Sequence, residues 1–128
     1  MFQSITANLM VESVEESLGF YKDILGFMEV DSVPGNDGSL QFAIVIKDSC
    51  QLMFQKRESL VAEYPILAAK VTKPSISLFV MVSDFDACYQ AVKSKREPLT
   101  DLHTTFYGTK EFALADNSGY VITIAEAH

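Results

Sequence analysis

Ile5-Thr-Ala-Asn-Leu-Met-Val-Glu-Ser-Val-Glu-Glu-Ser-Leu-Gly-Phe-Tyr-Lys-Asp-Ile-Leu-Gly-Phe27 changes its hydrophobic period part-way along, and that change decides the fold. From Ile5 to Val11 apolar residues alternate: Ile5, Ala7, Leu9 and Val11 share one face, and Thr6, Asn8 and Met10 share the other. A period of two is that of a β-strand with one buried side. From Val14 onward the apolar positions Val14, Leu18, Tyr21 and Leu25 step by four, three and four, which lays them on one stripe of a helix. Ser13 and Glu16 have the spacing of a capping box, in which hydroxyl and carboxylate satisfy free amides at a helix start. Gly26 stands where a left-handed residue closes a helix, so the spacing predicts a helix over 14–25.

Reading outward, Phe27 to Val30 is strand-like, Pro34-Gly-Asn-Asp-Gly38 is rich in turn formers, and strands are expected at Leu40 to Ile46 and Cys50 to Phe54. This half reads β-α-β-β-β. The pattern breaks up from Gln55 to Pro74; Ser59 to Lys70 has room for a helical turn or two around Pro65, and the segment reads as a linker. Alternation resumes at Ile76 to Val82, Asp84 is placed to cap a helix carrying Phe85, Tyr89 and Val92, and Pro98 follows as its stop. Strands around Phe112 and from Tyr120 to Ile124 complete this half. Ser13 and Asp84 are 71 residues apart, as are Thr6 and Ser77, and Gln51 and Thr123 are 72 apart. The offset predicts an α+β fold of two tandem βαβββ modules, 1–55 and 74–128, joined by linker 56–73 within a single domain, 1–128.

With 128 residues the chain has the length of one ordinary core, and 48% hydrophobic residues can fill it. The net charge of −7 repels phosphate backbones and argues against nucleic-acid binding. The apolar runs Phe42 to Ile46 and Leu78 to Val82 are far short of the roughly 20 residues that cross a membrane as a helix. Met1-Phe-Gln-Ser-Ile-Thr6 lacks a basic flank and an apolar stretch of signal-peptide length, so a cytoplasmic location is expected. Cys50 and Cys88 have no CxxC spacing; two buried thiols are expected, without a zinc site or disulfide framework.

Asn8-Leu-Met-Val-Glu-Ser13 with Ser17-Leu-Gly-Phe-Tyr-Lys-Asp-Ile-Leu-Gly-Phe27 resembles the opening signature of the vicinal oxygen chelate superfamily, and Tyr107-Gly-Thr-Lys-Glu-Phe112 with Asp116-Asn-Ser-Gly-Tyr120 is similar to its closing hairpin. That superfamily includes glyoxalase I, extradiol dioxygenases, fosfomycin-resistance enzymes and bleomycin-resistance proteins. The resemblance covers nearly the whole chain. It implies a cupped mixed sheet with helices outside and frequent homodimers. In its metal-dependent members it implies a divalent ion held by His, Glu or Gln from both halves, at positions that fall here on Thr6, Gln51, Ser77 and Thr123. Hydroxyls and one amide supply neither the charge nor the basicity that a tight divalent site needs. The resemblance is therefore closest to the metal-free bleomycin-resistance branch, with no metal and no cofactor expected.

Strand periodicity reaches the same face independently. Opposite the helix-facing residues lie Thr6, Asn8, Met10, Gln51, Met53, Ser77, Phe79, Met81 and Thr123. Short polar groups among thioethers and an aromatic describe a small-molecule surface, because a sealed core would leave their donors and acceptors without partners. A second core or a dimer surface is the competing use of this face. The ligand-binding candidates are Thr6, Asn8, Gln51, Met53, Ser77, Phe79, Tyr107 and Thr123; no catalytic residue is assigned. His103 reads as a solvated loop histidine, with acid–base work the alternative. No Ser-His-Asp set and no glycine-rich phosphate loop is present. Tyr64, Phe106 and Tyr107 lie in non-periodic segments where they could stack on a planar or cationic group. The expected function is sequestration of a small planar or cationic molecule by a metal-free binding protein. The rivals are a metal-dependent lyase, isomerase or thiol transferase of the glyoxalase or fosfomycin-resistance kind, and an interaction module for a peptide or protein.

Overall fold

A computed structural model describes residues 1, 3–68 and 74–127. The chain divides into two compact units, Met1–Thr72 and Lys73–His128. Their topologies match: β1(Ala7–Val11), α1(Val14–Asp23), β2(Met28–Pro34), β3(Leu40–Lys47) and β4(Cys50–Lys56) in unit 1, and β5(Ser77–Val82), α3(Phe85–Lys93), β6(Thr100–Thr104), β7(Lys110–Ala115) and β8(Val121–Glu126) in unit 2. Each makes a four-stranded mixed sheet, ordered β1-β4-β3-β2 and β5-β8-β7-β6, with the first strand parallel to the last and the other pairs antiparallel. The architecture is thus α+β, two tandem βαβββ modules.

In unit 1 the alternation of β1 delivers Leu9 and Val11 to the face that α1 covers, where both are buried. The α1 stripe meets them with Val14, Leu18 and Tyr21, all buried, and the Tyr21 ring sits 4.8 Å from that of Phe54 on β4. Ser13 caps the helix, its hydroxyl accepting from the Glu16 amide at 3.2 Å. Glu15 accepts from the Leu40 amide at 2.8 Å and so ties the first turn to β3. Gly26 takes φ 77°, as a helix-closing residue must. In unit 2 the same logic seats Phe85, Tyr89 and Val92 against Phe112, Leu114, Ile122 and Ile124, and the Phe112 ring lies 5.8 Å from Phe85 and 5.1 Å from Tyr89.

Several boundaries differ from the sequence reading, each for a local reason. β1 begins at Ala7, where pairing with Leu52 begins, and Ile5 beyond the ladder is fully exposed instead of facing the core. β5 likewise begins at Ser77, leaving Ile76 exposed. α1 stops at Asp23, two residues early, with Ile24 as its C-cap. Within the stretch read as linker, Arg57–Glu63 forms α2, followed by a 3-10 turn at Pro65–Leu67; residues 69–73 lie outside the described residues. His103 is not in a loop but in β6, an edge strand whose five residues are all exposed and so carry no alternation. Cys50 is exposed because it starts β4 at the hairpin turn, and Cys88 is half-buried; neither is the buried thiol expected. Asp84 precedes α3 without a side-chain cap hydrogen bond.

Candidate functional site

In each unit one sheet face is packed by a helix, and the residues between the packed positions point the other way. In unit 1 the ladder places Asn8 beside Met53 and Met53 beside Ile44, while the next row runs Met10, Gln55, Phe42. Gln51 lies further along β4 opposite Ile46, and Thr6 immediately precedes β1. Thr6 and Met53 are half-buried; Asn8 and Gln51 are exposed. The four sequence-derived candidates of this half therefore share one face.

The centre of that face is a residue that periodicity did not single out. Gln55 is only 8% exposed, and its side-chain oxygen accepts from Asn8 Nδ2 at 2.9 Å while its Nε2 donates to Ser59 Oγ at 3.0 Å and Glu63 Oε1 at 3.3 Å. Ser59 and Glu63 belong to α2, so Gln55 joins that helix to the sheet. Arg57 adds a contact from Nη1 to Met10 Sδ at 3.4 Å. The signal available in the sequence was a glutamine two residues from Met53, just past the strand read at Cys50 to Phe54; two of its three partners, Ser59 and Glu63, lay in the segment read as linker.

Unit 2 arranges its face differently. Phe79 stands beside Thr123 and Thr123 beside Ala113; the next row runs Met81, Ala125, Glu111, His103. Phe79 and Met81 are 60% and 63% exposed, unlike any core side chain of their size in this unit. Ser77 is exposed at the start of β5, and Thr123 is half-buried. Tyr107, in the β6–β7 turn, donates its hydroxyl to Glu111 Oε2 at 2.5 Å, and its ring packs edge-on to Phe106 at 4.9 Å. This bond to a carboxylate, reinforced by partial burial, holds the Tyr107 phenol above its ordinary pKa. His103 Nδ1 lies 2.9 Å from the Asp101 carbonyl. Glu111 was missed because it sits in a hairpin motif read for fold alone.

The strand registers also refine the internal repeat. Ala7 pairs with Leu52 as Leu78 pairs with Ile122, which matches Met53 to Thr123 and Gln51 to Val121. The sequence offset of 72 had matched Gln51 to Thr123; an apolar valine takes that equivalent place. A divalent ion of the kind the superfamily's enzymes use does not fit this donor set: the positions concerned offer hydroxyls, one amide and a valine. Among the described residues no three His, Cys, Asp or Glu side chains are grouped to hold a metal.

The model of the Glyoxalase/Bleomycin resistance protein/Dioxygenase superfamily matches residues 3–124. Similar solved structures include TioX from Micromonospora sp. ML1, with 13% identity, coverage of 98% of both chains and a TM-score of 0.76. A glyoxalase-related enzyme from Clostridium phytofermentans shares 14% identity over 100% of this chain and 97% of the other, with a TM-score of 0.77. Lactoylglutathione lyase from Agrobacterium tumefaciens shares 17% identity over 99% and 96%, with a TM-score of 0.75. No curated protein matches the sequence. At these identities the likeness is one of fold.

Proposed function

The chain belongs to the glyoxalase/bleomycin resistance protein/dioxygenase superfamily, and on that premise we propose that it is a metal-free binding protein that sequesters a small planar or cationic organic molecule. One observation carries the reading: the sheet face turned away from the helix presents neutral hydrogen-bonding groups beside thioether or aromatic surface in each unit, Asn8 and Gln51 with Met53 in unit 1 and Thr123 with exposed Phe79 and Met81 in unit 2, and among the described residues no three His, Cys, Asp or Glu side chains are grouped to hold a metal. Apolar walls with a few polar groups suit a ligand that keeps part of its hydration. The net charge of −7 adds long-range attraction for cations. The proposal includes a homodimer, supported by the apolar side chains Met28, Val30 and Val33 left exposed on the edge strand β2; sedimentation equilibrium checks it, and a monomer at all concentrations removes it.

The test has two parts. Protein purified without a metal-chelating tag is analysed by elemental mass spectrometry before and after incubation with zinc, manganese, nickel and iron salts; little metal is expected in every condition, and near-stoichiometric uptake overturns the proposal. Thermal-shift screening of cationic antibiotics and planar aromatics then supplies a ligand, against which Phe79→Ala is measured. Loss of one aromatic stack, about 0.5 to 2 kcal/mol, corresponds to a drop in affinity of roughly 2- to 30-fold with the melting temperature nearly unchanged. A collapse of the fold would instead make Phe79 a core residue.

A further inference from the structure

Compared row by row, the two units differ most at one place. Unit 1 fills the row beyond Asn8 with Met10, Gln55 and Phe42, and the Asn8 row itself with Met53 and Ile44. The equivalent rows of unit 2 read Met81, Ala125, Glu111 and Phe79, Thr123, Ala113. Where unit 1 has Gln55 and Ile44, unit 2 has alanines. The result is a pair of small, buried residues, Ala113 and Ala125 at 7% and 1% exposure, with the exposed Phe79 and Met81 on one side and Glu111 on the other.

Glu111 is only 7% exposed, yet one of its oxygens is uncommitted: Oε2 accepts from the Tyr107 hydroxyl, while Oε1 accepts no hydrogen bond from the described residues and is not sealed from solvent. The neighbouring lysine, Lys110, points to Asp86 at 3.7 Å, and no ion pair among the described residues neutralises Glu111. His103 faces it across the β6–β7 ladder. A shielded carboxylate with a free oxygen gains more from a charged N–H donor than from water, because charge-assisted hydrogen bonds strengthen as solvent is excluded. β5 and β7 are separated by two strand spacings, about 10 Å. A flat body stacked on the exposed Phe79 and Met81 side chains can therefore direct its cationic group to Glu111.

We propose that Glu111 anchors a site in unit 2 for an organic cation, an ammonium or amidinium group carried on a flat apolar body. This rests on the small-molecule-binding reading above and specifies its ligand class and charge-recognising residue. Tyr107 is the positioning residue, since its hydroxyl occupies one carboxylate oxygen and leaves the other directed to the ligand.

The probes are 9-aminoacridinium and its uncharged relative acridone, titrated by fluorescence at pH 8. Wild-type protein is expected to bind the cation at least tenfold more tightly than acridone. Glu111→Gln, which keeps the shape and an acceptor for Tyr107, should erase that preference and leave acridone affinity within twofold. If the preference survives in Glu111→Gln while Phe79→Ala weakens both probes, the anchor is overturned and the binding reading stands. If neither probe binds wild type at millimolar concentration, both fall. Should Glu111→Gln fail to fold, Glu111→Asp replaces it: drawing the charge back by one methylene must lower the cation preference several-fold, and an unchanged ratio overturns the proposal.

Discussion

Gln55 illustrates how one side chain can carry more than its sequence position announces. The residue is only 8% exposed, and its amide bridges β1, through Asn8, to α2, through Ser59 and Glu63. Gln55→Ala removes the hydrogen bonds to Asn8, Ser59 and Glu63; Asn8 and Glu63 are exposed and Ser59 is half-buried, so water can replace the lost partner and the cost is that of an ordinary hydrogen bond, about 0.5–1.5 kcal/mol. Urea unfolding should register a loss in that range. Asn8→Ala added to Gln55→Ala should cost less than Asn8→Ala alone, because the bond is already gone; full additivity would show that the 2.9 Å contact contributes nothing. The same glutamine in a sequence is indistinguishable from an exposed strand residue, since Ser59 and Glu63 lie in a segment with no period of its own and Asn8 is 47 residues away on β1.

At the scale of elements, helices were easier to read than edge strands. The α1 stripe and its cap follow from spacing alone, because both are set within four residues. β6 has no alternation to detect, being exposed throughout, and it is held instead by pairing with β7 and by a tie to α3. Tyr89 donates its hydroxyl to Asp101 Oδ1 at 2.5 Å, and Lys93 Nζ reaches Oδ2 at 3.3 Å. The bond from Tyr89, then that from the Leu102 amide, holds the Asp101 carboxyl below its ordinary pKa. A folded-state value below the unfolded one contributes stability above the unfolded pKa, and that contribution is lost as pH falls through the folded value. Urea unfolding of Asp101→Asn should therefore show a shallower decline than wild type between about pH 5 and about pH 2. Identical slopes would mean that the carboxylate is not linked to folding.

At the scale of the molecule, three phenylalanines in related strands should behave in opposite ways. Phe54 and Phe112 are fully buried beneath α1 and α3, whereas Phe79 is 60% exposed. Truncating a buried phenylalanine typically costs about 3–5 kcal/mol, a large share of the roughly 5–15 kcal/mol that holds a domain together. Phe54→Ala and Phe112→Ala should lower the melting temperature by about 10 °C or more. Phe79→Ala should leave it nearly unchanged; calorimetry of the three variants checks the assignment of faces.

The two tandem βαβββ modules, both long helices and most of the helix-facing residues were legible in the amino-acid sequence because each depends on side-chain period over a few neighbouring residues, whereas β6 and α2, which carry no such period, were not. The family signature was legible for the same reason, being local strings such as Phe20-Tyr21 with Leu25-Gly26-Phe27. Strand register was not, for it is set between segments tens of residues apart, and a shift of two residues keeps every side chain on its face while changing its neighbours. Thr6, Asn8, Met53 and Phe79 could thus be placed on a face from sequence, but the match of Thr123 to Met53, the joining of Gln55 to α2 and the placing of Glu111 beside Ala125 were decided by tertiary hydrogen bonding alone.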